Sequence, residues 1–343
     1  MMLESNISAS TRRNMIVMLY RHARQANKKF YEITHEDMTA YLQSLRNSQD
    51  EAQKWIGTYN LAIAILQKFY KWLYYPNISS EMRALPECVS GFKKIRRKEL
   101  ARYSPNDMWT MEEHATFLKY CPSVKVRAYH AMALDTSARP HELLKLNIKD
   151  LKERLIPSVK DNSGNVTRDE CVVFQFVVSG KTGSRALALT NSMPYVKKWL
   201  EEHPQRQNKD AFLFINKYGN APARNSLFQT YMWYKNEMFP KLLKDQNVPL
   251  EDRKIIQRML EERKWNPYVI RHSALTLKAK NRMMSDTMLR QHAGWSKESK
   301  MPSVYIHNYG SESVDELLRI QGYLPREDNN FDHFHTRILE SMK

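Results

Sequence analysis

The sequence predicts a mainly α-helical protein with one small antiparallel β-sheet. Two observations predict this class. Apolar residues recur at the spacing of a helix face over the first ninety residues and again from Pro194 onward. Between these stretches, the β-branched and aromatic run Cys171–Val178 is followed by turn residues at Ser179–Ser184 and a second strand pattern at Arg185–Thr190, which predicts a hairpin. The 343 residues, 42% of them hydrophobic, suffice for two or three domains with their own cores.

The first ninety residues are predicted to form three helices. Apolar residues begin the first helix at Met15. Thr34 and Asp37 form a capping-box pattern ahead of the second, and the third runs from about Trp55 to Tyr74. Because no segment in this region alternates like a strand, we predict a small all-helical domain over residues 1–92.

A second domain is predicted over residues 107–325. A capping-box pattern from Thr110 to Glu113 begins its first helix, and another helix covers roughly Lys125–Ser137. A short strand is predicted near Leu155, and the polar segment Lys160–Asp169 is predicted to be a loop. After the hairpin, the pattern is mainly helical to about residue 320, and a tail covers residues 326–343.

A basic segment, predicted as a linker over residues 93–106, separates the two domains. Its basic side chains, set against the single acid Glu99, are Lys93, Lys94, Arg96, Arg97, Lys98 and Arg102. Such a run is often only a solvated surface. On a chain with 54 Lys and Arg, 37 Asp and Glu and a formal net charge of +17, an arm that follows a nucleic-acid backbone is the better interpretation.

Composition and motifs argue against several other classes of protein. Three cysteines without a Cys-x-x-Cys pair favour a reducing cytoplasm over a disulfide framework or a structural zinc site. The first residues lack the apolar core of a signal peptide, and the longest apolar run, Leu61–Leu66, is too short to span a membrane. Gly180–Thr182 looks like the end of a phosphate-binding loop, but Gln175 stands where that loop needs glycine, so we predict no nucleotide site there.

Four short segments carry candidate chemistry. Arg139 follows a largely apolar helix, and Glu142 is placed three residues on to hold its guanidinium. Lys181 stands at the predicted tip of the hairpin. Tyr268 and Arg271 are three residues apart and therefore share a helical face. The fourth segment is the run Gly294-Trp295-Ser296-Lys297-Glu298-Ser299-Lys300-Met301-Pro302-Ser303-Val304-Tyr305-Ile306-His307.

Each of these segments also has an ordinary structural interpretation. Arg139 and Glu142 could form a structural ion pair, Lys181 could be a solvated turn residue, and Tyr305 could be a half-buried aromatic like most of the eighteen tyrosines. The segments gain meaning from their order.

Together, the four segments resemble the tyrosine recombinase (phage-integrase-like) family. The order Arg, Lys, xxxArg, His or Trp, and Tyr is that of the family, with 42 residues from Arg139 to Lys181 and ten from Trp295 to Tyr305. The block GWxxxSKMPxxYxH resembles the archaeal branch in particular, in which Gly-Trp replaces the more usual Gly-His. The resemblance covers roughly residues 10–320 and implies a helical core-binding domain followed by a tyrosine recombinase catalytic domain.

The resemblance implies DNA cleavage without metal, cofactor or ATP. Tyr305 matches the tyrosine that attacks the scissile phosphorus to give a 3′-phosphotyrosine. Arg139 and Arg271 match the arginines that stabilise charge on the non-bridging oxygens, since a guanidinium binds phosphate with two donors and stays charged. Lys181 matches the general acid for the leaving 5′-oxygen. Trp295 is expected to donate its indole N–H to the phosphate.

One position departs from the family. Tyr268 stands where the family usually has histidine, and a phenol is a poor base at neutral pH, which leaves the general base open. His272 matches a frequent family histidine but points about 100° away from Arg271 on a helix, so both a catalytic and a structural role stay open. Tyr309 is the rival nucleophile, and the YxH ending of the family favours Tyr305.

The implied function is site-specific recombination on double-stranded DNA. The resemblance implies an integrase of a virus or plasmid, or a resolvase of chromosome dimers, that self-associates to a tetramer on a specific target site, near the nucleoid in the cytoplasm and away from membranes. Two alternatives remain at this point: a type IB topoisomerase-like enzyme that relaxes DNA, and a non-catalytic DNA-binding protein on the same fold.

Overall fold

The computed structural model describes residues 7–47, 53, 55–96, 104–160, 166–180, 183–280, 284–299 and 301–306. The chain divides into two compact units between Ala101 and Arg102. Helices dominate both units, and the second also carries a small antiparallel sheet. The predicted fold class is therefore confirmed.

The first unit contains the helices α1 (Ala9–Ala26), α2 (His35–Ser44) and α3 (Trp55–Tyr74), with short 3₁₀ turns at Phe30–Glu32 and Glu87–Val89. The predicted start of α1 at Met15 was late, because the Oγ of Ser8 already accepts the backbone N–H of Thr11 and caps polar turns that have no apolar pattern. The capping box at Thr34 and the bounds of α3 are confirmed. The helices enclose a core that includes Met38, Tyr41, Leu66 and Tyr70.

The start of the predicted basic linker is anchored to this first unit. The backbone N–H of Ile95 donates to the side-chain oxygen of Asn60 on α3, and the Asn60 amide donates back to the Ile95 carbonyl, both at 2.8 Å. Lys93, Lys94 and Arg96 are exposed around this anchor. Their charges therefore stand in solvent on a backbone that α3 holds in place.

The second unit contains ten further helices and five strands in its described residues. These are α4 (Met111–Tyr120), α5 (Val124–Thr136), α6 (Pro140–Leu143), β1 (Lys152–Ile156), β2 (Val159–Lys160), β3 (Val166–Arg168), β4 (Cys171–Gly180), β5 (Gly183–Leu189), α7 (Met193–Glu202), α8 (Arg224–Trp233), α9 (Phe239–Leu242), α10 (Leu250–Glu262), α11 (Pro267–Lys280), α12 (Asp286–Ala293) and α13 (Met301–Ile306). Short 3₁₀ turns lie at Pro105–Asp107 and Ile148–Asp150, and a π-helical turn joins α8 to α9 at Tyr234–Met238. Among the described residues, no helix combines the length and the apolar composition of a membrane-spanning segment.

Strands β1, β4 and β5 form the antiparallel sheet in that order. The predicted hairpin is confirmed as β4 and β5, whose last pair is Gly180 with Gly183. The prediction of a loop over Lys160–Asp169 was partly wrong, because Val159 on β2 pairs with Arg168 on β3 in a small second hairpin. The inner face of β5 alternates Arg185, Leu187 and Leu189, all buried.

A buried polar chain joins three helices in the core of the second unit. His114 Nδ1 on α4 lies 2.9 Å from His130 Nε2 on α5, and His130 Nδ1 lies 3.0 Å from the hydroxyl of Tyr231 on α8. Burial lowers the pKa of His114 to about 3 and that of His130 well below its ordinary value. Both imidazoles are therefore neutral in the folded protein at neutral pH.

Candidate functional site

The C-terminal end of α12 gathers three arginine side chains. The last carbonyls of a helix have no partner within it, and the helix dipole makes this end negative. Each guanidinium donates to one of three successive carbonyls: Arg185 Nε to His292 at 2.8 Å, Arg271 Nη2 to Ala293 at 2.7 Å and Arg139 Nη2 to Gly294 at 3.0 Å. Gly294 ends the helix with a φ of 64°, a left-handed conformation that glycine adopts without strain.

Glu142 ties Arg139 to Arg185. As predicted from their spacing, Arg139 Nη1 donates to Glu142 Oε1 at 2.9 Å, and the Arg139 backbone N–H donates to Oε2 at 2.8 Å. Arg185 also binds this carboxylate through both terminal nitrogens, at 3.1 and 2.7 Å. Burial by itself would raise the pKa of Glu142, but the two arginines outweigh it and lower that pKa to about 2. Glu142 is therefore ionised at neutral pH.

Arg271 enters the same cluster from α11. Its side chain is buried, and its second donor reaches the carbonyl of Ser137, just after α5. Burial and the positive charge of Arg139 lower the pKa of Arg271 to about 10, so it stays charged at neutral pH. Burial, with the charges of Lys278, Arg185 and Arg271, lowers the pKa of His292 to about 3. The site therefore has an excess of fixed positive charge, which suits an anion.

Tyr305 lies beside this cluster and between two rings. Its hydroxyl is 2.6 Å from Nδ1 of His272, and its ring stacks on His272 and on Trp295 with centroids 5.6 and 5.3 Å away. Tyr305 is only 4% exposed. His272 directly follows Arg271 on α11, and Trp295 directly follows Gly294, whose carbonyl accepts from Arg139, so both rings around Tyr305 adjoin the arginine cluster.

The structure brings together five of the predicted site residues: Arg139, Arg271, His272, Trp295 and Tyr305. Tyr268 is half-buried against the large hydrophobic core. Lys181 lies outside the described residues, but its neighbour Gly180 lies against Glu142, since a Cβ on Gly180 would come within 2.8 Å of Glu142 Oε1.

Of the basic segment, Lys93, Lys94 and Arg96 are described and exposed. The remaining three members and the rival nucleophile fall outside the described residues: Arg97, Lys98, Arg102 and Tyr309.

Sequence reasoning missed Arg185. It also left open what His272 contacts, and the structure shows that partner to be Tyr305. A signal for Arg185 existed, because Arg185 alternates with Leu187 and Leu189 and so takes an inward position on a strand with one buried face. An arginine there needs buried acceptors.

The arrangement offers an anion site beside a hydrogen-bonded phenol. Arg139 and Arg271 provide fixed cationic donors, and Tyr305 provides a hydroxyl whose hydrogen-bond partner is an imidazole. Within the described part of the chain, no group of three or more His, Cys, Asp or Glu side chains could hold a metal ion.

Neither the models of known protein families nor the curated proteins give a match to the sequence. Solved structures do match the fold. A lambda integrase tetramer bound to a Holliday junction aligns at TM-score 0.57 and 14% identity, over 90% of this chain and 75% of that one. The Tn1549 transposon integrase in complex with transposon right-end DNA aligns at TM-score 0.53 and 14% identity, over 93% and 95% of the two chains. The XerH recombinase bound to a palindromic difH substrate aligns at TM-score 0.51 and 18% identity, over 91% and 79%. The chain therefore has the fold of the tyrosine recombinases.

Proposed function

We propose that the chain is a site-specific DNA recombinase that cuts and rejoins DNA through a 3′-phosphotyrosine bond. The observation that supports this best is the Tyr305 hydroxyl, held 2.6 Å from His272, which directly follows Arg271 of the arginine cluster. A phenol beside fixed cationic donors can attack a phosphodiester, because those donors stabilise the charge that develops on the non-bridging oxygens.

In the proposed cleavage step, the oxygen of Tyr305 forms a bond to phosphorus as the bond to the 5′-oxygen breaks. His272 Nδ1 accepts the phenolic proton and becomes an imidazolium. Lys181, which follows Gly180 in the sequence, gives a proton to the leaving 5′-oxygen, and Trp295 donates its indole N–H to the phosphate. Rejoining reverses each transfer, so the sequence of steps requires no ATP.

We extend the proposal to the partners of the protein. Double-stranded DNA with a specific target site is the substrate, and self-association to a tetramer on that DNA would bring two sites together. The solved neighbours include a tetramer on a Holliday junction, which supports this assembly. The block GWxxxSKMPxxYxH supports an archaeal-type virus or plasmid as the source. A DNA substrate would place the activity at the nucleoid.

The proposal is tested by trapping the covalent intermediate. The full chain is incubated in EDTA with a pool of nicked duplexes of random sequence. Cleavage releases the short strand between the cut and the nick, and loss of its 5′-hydroxyl prevents rejoining. We expect protein covalently attached to a 3′ end, enriched for one sequence. Tyr218→Phe, which removes one hydroxyl from a tyrosine that is 75% exposed, should form as much adduct as the wild type.

The same experiment separates the alternatives. Adduct on all sequences alike would indicate a topoisomerase-like enzyme. DNA binding without any adduct would indicate a non-catalytic protein. Adduct that appears only after Mg²⁺ is added would contradict the proposed chemistry.

A further inference from the structure

Arg185 takes a position in the sheet that is normally apolar. It lies on the inner face of β5, where Leu187 and Leu189 follow it, and its side chain is 7% exposed. All three of its nitrogens donate to the protein: Nε to the carbonyl of His292, and the two terminal nitrogens to Glu142. Its guanidinium is therefore held by the protein and buried, so it is not presented to a ligand.

Glu142 divides its four hydrogen bonds equally between two arginines. Oε1 accepts from the side chains of Arg139 and Arg185, and Oε2 accepts from the Arg139 backbone and the Arg185 side chain. The Glu142 side chain is fully buried. Without Arg185, this buried carboxylate would lose half of its donors, and only the two bonds from Arg139 would hold it.

Arg139 differs from Arg185 in the N–H donors that it can offer to a ligand. Its side chain is 21% exposed, and its contacts within the described residues are one bond from Nη1 to Glu142 and one from Nη2 to Gly294. A guanidinium has five N–H donors, so Arg139 retains donors for a phosphate. Arg185 binds both groups that hold Arg139, which are the Glu142 carboxylate and the C-terminal end of α12.

Two close glycine contacts fit this arrangement. A Cβ on Gly294 would lie 2.5 Å from Arg185 Nη1, and a Cβ on Gly180 would lie 2.8 Å from Glu142 Oε1. The end of α12 and the end of β4 therefore both approach the Arg185–Glu142 pair more closely than a larger residue would allow. The pair joins the hairpin to the helix end that holds the arginines.

We propose that Arg185 is a positioning residue that fixes the Arg139 guanidinium through Glu142 for contact with the scissile phosphate. The identity of the anion rests on the proposed function. The coupling between the two arginines rests on the contacts alone.

The coupling is measured in a double-mutant cycle of Arg185→Ala, Arg139→Ala and the double variant. The first readout is the rate of covalent adduct formation, and the second is the affinity for inorganic phosphate, followed by NMR of the arginine side chains. Residues that share one carboxylate are expected to couple. Arg185→Ala alone should slow adduct formation and weaken phosphate binding by about tenfold or more, but should change either readout less than about threefold when Arg139 is already alanine.

Two further variants separate positioning from mere stability. Arg154→Ala removes an exposed arginine from β1 of the same sheet and should leave both readouts unchanged. Arg185→Lys keeps the charge but loses the two-donor contact with Glu142, so it should restore thermal stability more fully than adduct formation.

The inference would be overturned if the fold-changes of the two alanine substitutions simply multiplied in the double variant, because the two arginines would then act independently. It would also be overturned if the wild-type protein failed to bind phosphate. Equal restoration of stability and rate in Arg185→Lys would also overturn it. The phosphate titration needs no cleavage, so coupling in phosphate binding supports the role of Arg185 even where no adduct forms. Absence of adduct from the wild type would instead count against the proposed function.

Discussion

His272 is the residue of the candidate site whose proposed role rests most directly on one contact. Its Nδ1 is 2.6 Å from the Tyr305 hydroxyl, and its ring stacks on the Tyr305 ring. Tyr268, at the position where the family has its usual histidine, lies instead against the hydrophobic core. We therefore expect His272 to take over the task of accepting the phenolic proton.

The first prediction is that His272→Ala slows adduct formation by about 10²–10⁴-fold, the usual contribution of one positioned base. Added imidazole should restore part of the rate, because the substitution leaves space beside Tyr305. The measurement is single-turnover adduct formation as a function of pH and imidazole concentration. A variant that keeps the wild-type rate and pH profile would show that His272 only packs against Tyr305.

At the scale of residues, the sequence predicts the members of the candidate site better than the contacts that hold them. Order and spacing point to Arg139, Arg271 and Tyr305 through the resemblance to one family, and the fold brings these three side chains to one place. The same reasoning cannot identify Arg185, whose partners Glu142 and the carbonyl of His292 lie far away in the sequence and meet it only in the folded chain.

The second prediction concerns the end of α12. Gly294→Ala should lower the melting temperature and slow adduct formation by about tenfold or more. A left-handed φ costs alanine about 1 kcal/mol, and the new Cβ would lie 2.5 Å from Arg185 Nη1, so the arginine would have to move. Thermal unfolding and single-turnover cleavage measure the two effects.

Gly91→Ala is the matched control for Gly294→Ala. Gly91 also has a positive φ, of 78°, but among the described residues no atom beyond its two chain neighbours lies within 4 Å of a Cβ there. It should lose stability without losing activity. If both variants lose activity alike, the contact with Arg185 is not the cause.

The third prediction concerns the buried imidazoles that join α4 to α5. In the unfolded chain His114 gains a proton near its ordinary pKa of 6.5, whereas the folded protein keeps it neutral down to about pH 3. Stability is therefore full above pH 6.5 and falls as the pH drops from 6.5 toward 3. His114→Asn should flatten the dependence of the unfolding free energy on pH over this range by up to about 1.4 kcal/mol per pH unit.

Urea unfolding of His114→Asn and the wild type between pH 4.5 and 8 measures this difference. His35→Asn serves as the comparison, because His35 is an exposed histidine of the first unit that lies outside the chain of His114, His130 and Tyr231. Parallel curves for the wild type and His114→Asn would mean that His114 does not remain neutral in the folded protein.

The elements themselves are predictable where local chemistry decides them. The capping box at Thr34 begins α2, and the turn residues after Val178 produce the β4–β5 hairpin. Prediction of a strand fails where backbone pairing with another strand, and not local sequence, decides the structure. The polar run Lys160–Asp169 looks like a loop, yet part of it pairs with Val159, because a strand needs only a partner with free backbone groups.

At the scale of the whole molecule, the charge of +17 predicts strong dependence of DNA binding on salt. Lys94 and Arg96 are exposed beside Ile95, which Asn60 anchors to α3. Because the chain around these charges is already held in place, they can contact a phosphate backbone without a further cost of ordering the segment.

The fourth prediction is that replacing Lys94, Arg96 and Arg97 with alanine weakens binding to all DNA sequences alike. The slope of log K against log salt should flatten by up to about 3 units, since each phosphate contact contributes about 0.9. Binding assays on specific and unrelated duplexes over a range of salt concentrations measure this. The control variant carries three alanine substitutions at exposed lysines far from the segment. An unchanged slope of log K against log salt in the Lys94, Arg96 and Arg97 variant would mean that the segment does not contact the DNA backbone.

In the proposed reaction, Tyr305 becomes covalently attached to DNA. The most direct measurement is mass spectrometry of the trapped adduct after digestion with protease and nuclease, together with the same trapping reaction on Tyr305→Phe and Tyr309→Phe. We expect the nucleotide on Tyr305, no adduct from Tyr305→Phe and undiminished DNA binding by that variant, because only one hydroxyl is lost. A nucleotide on Tyr309, or adduct that persists in Tyr305→Phe, would contradict the account.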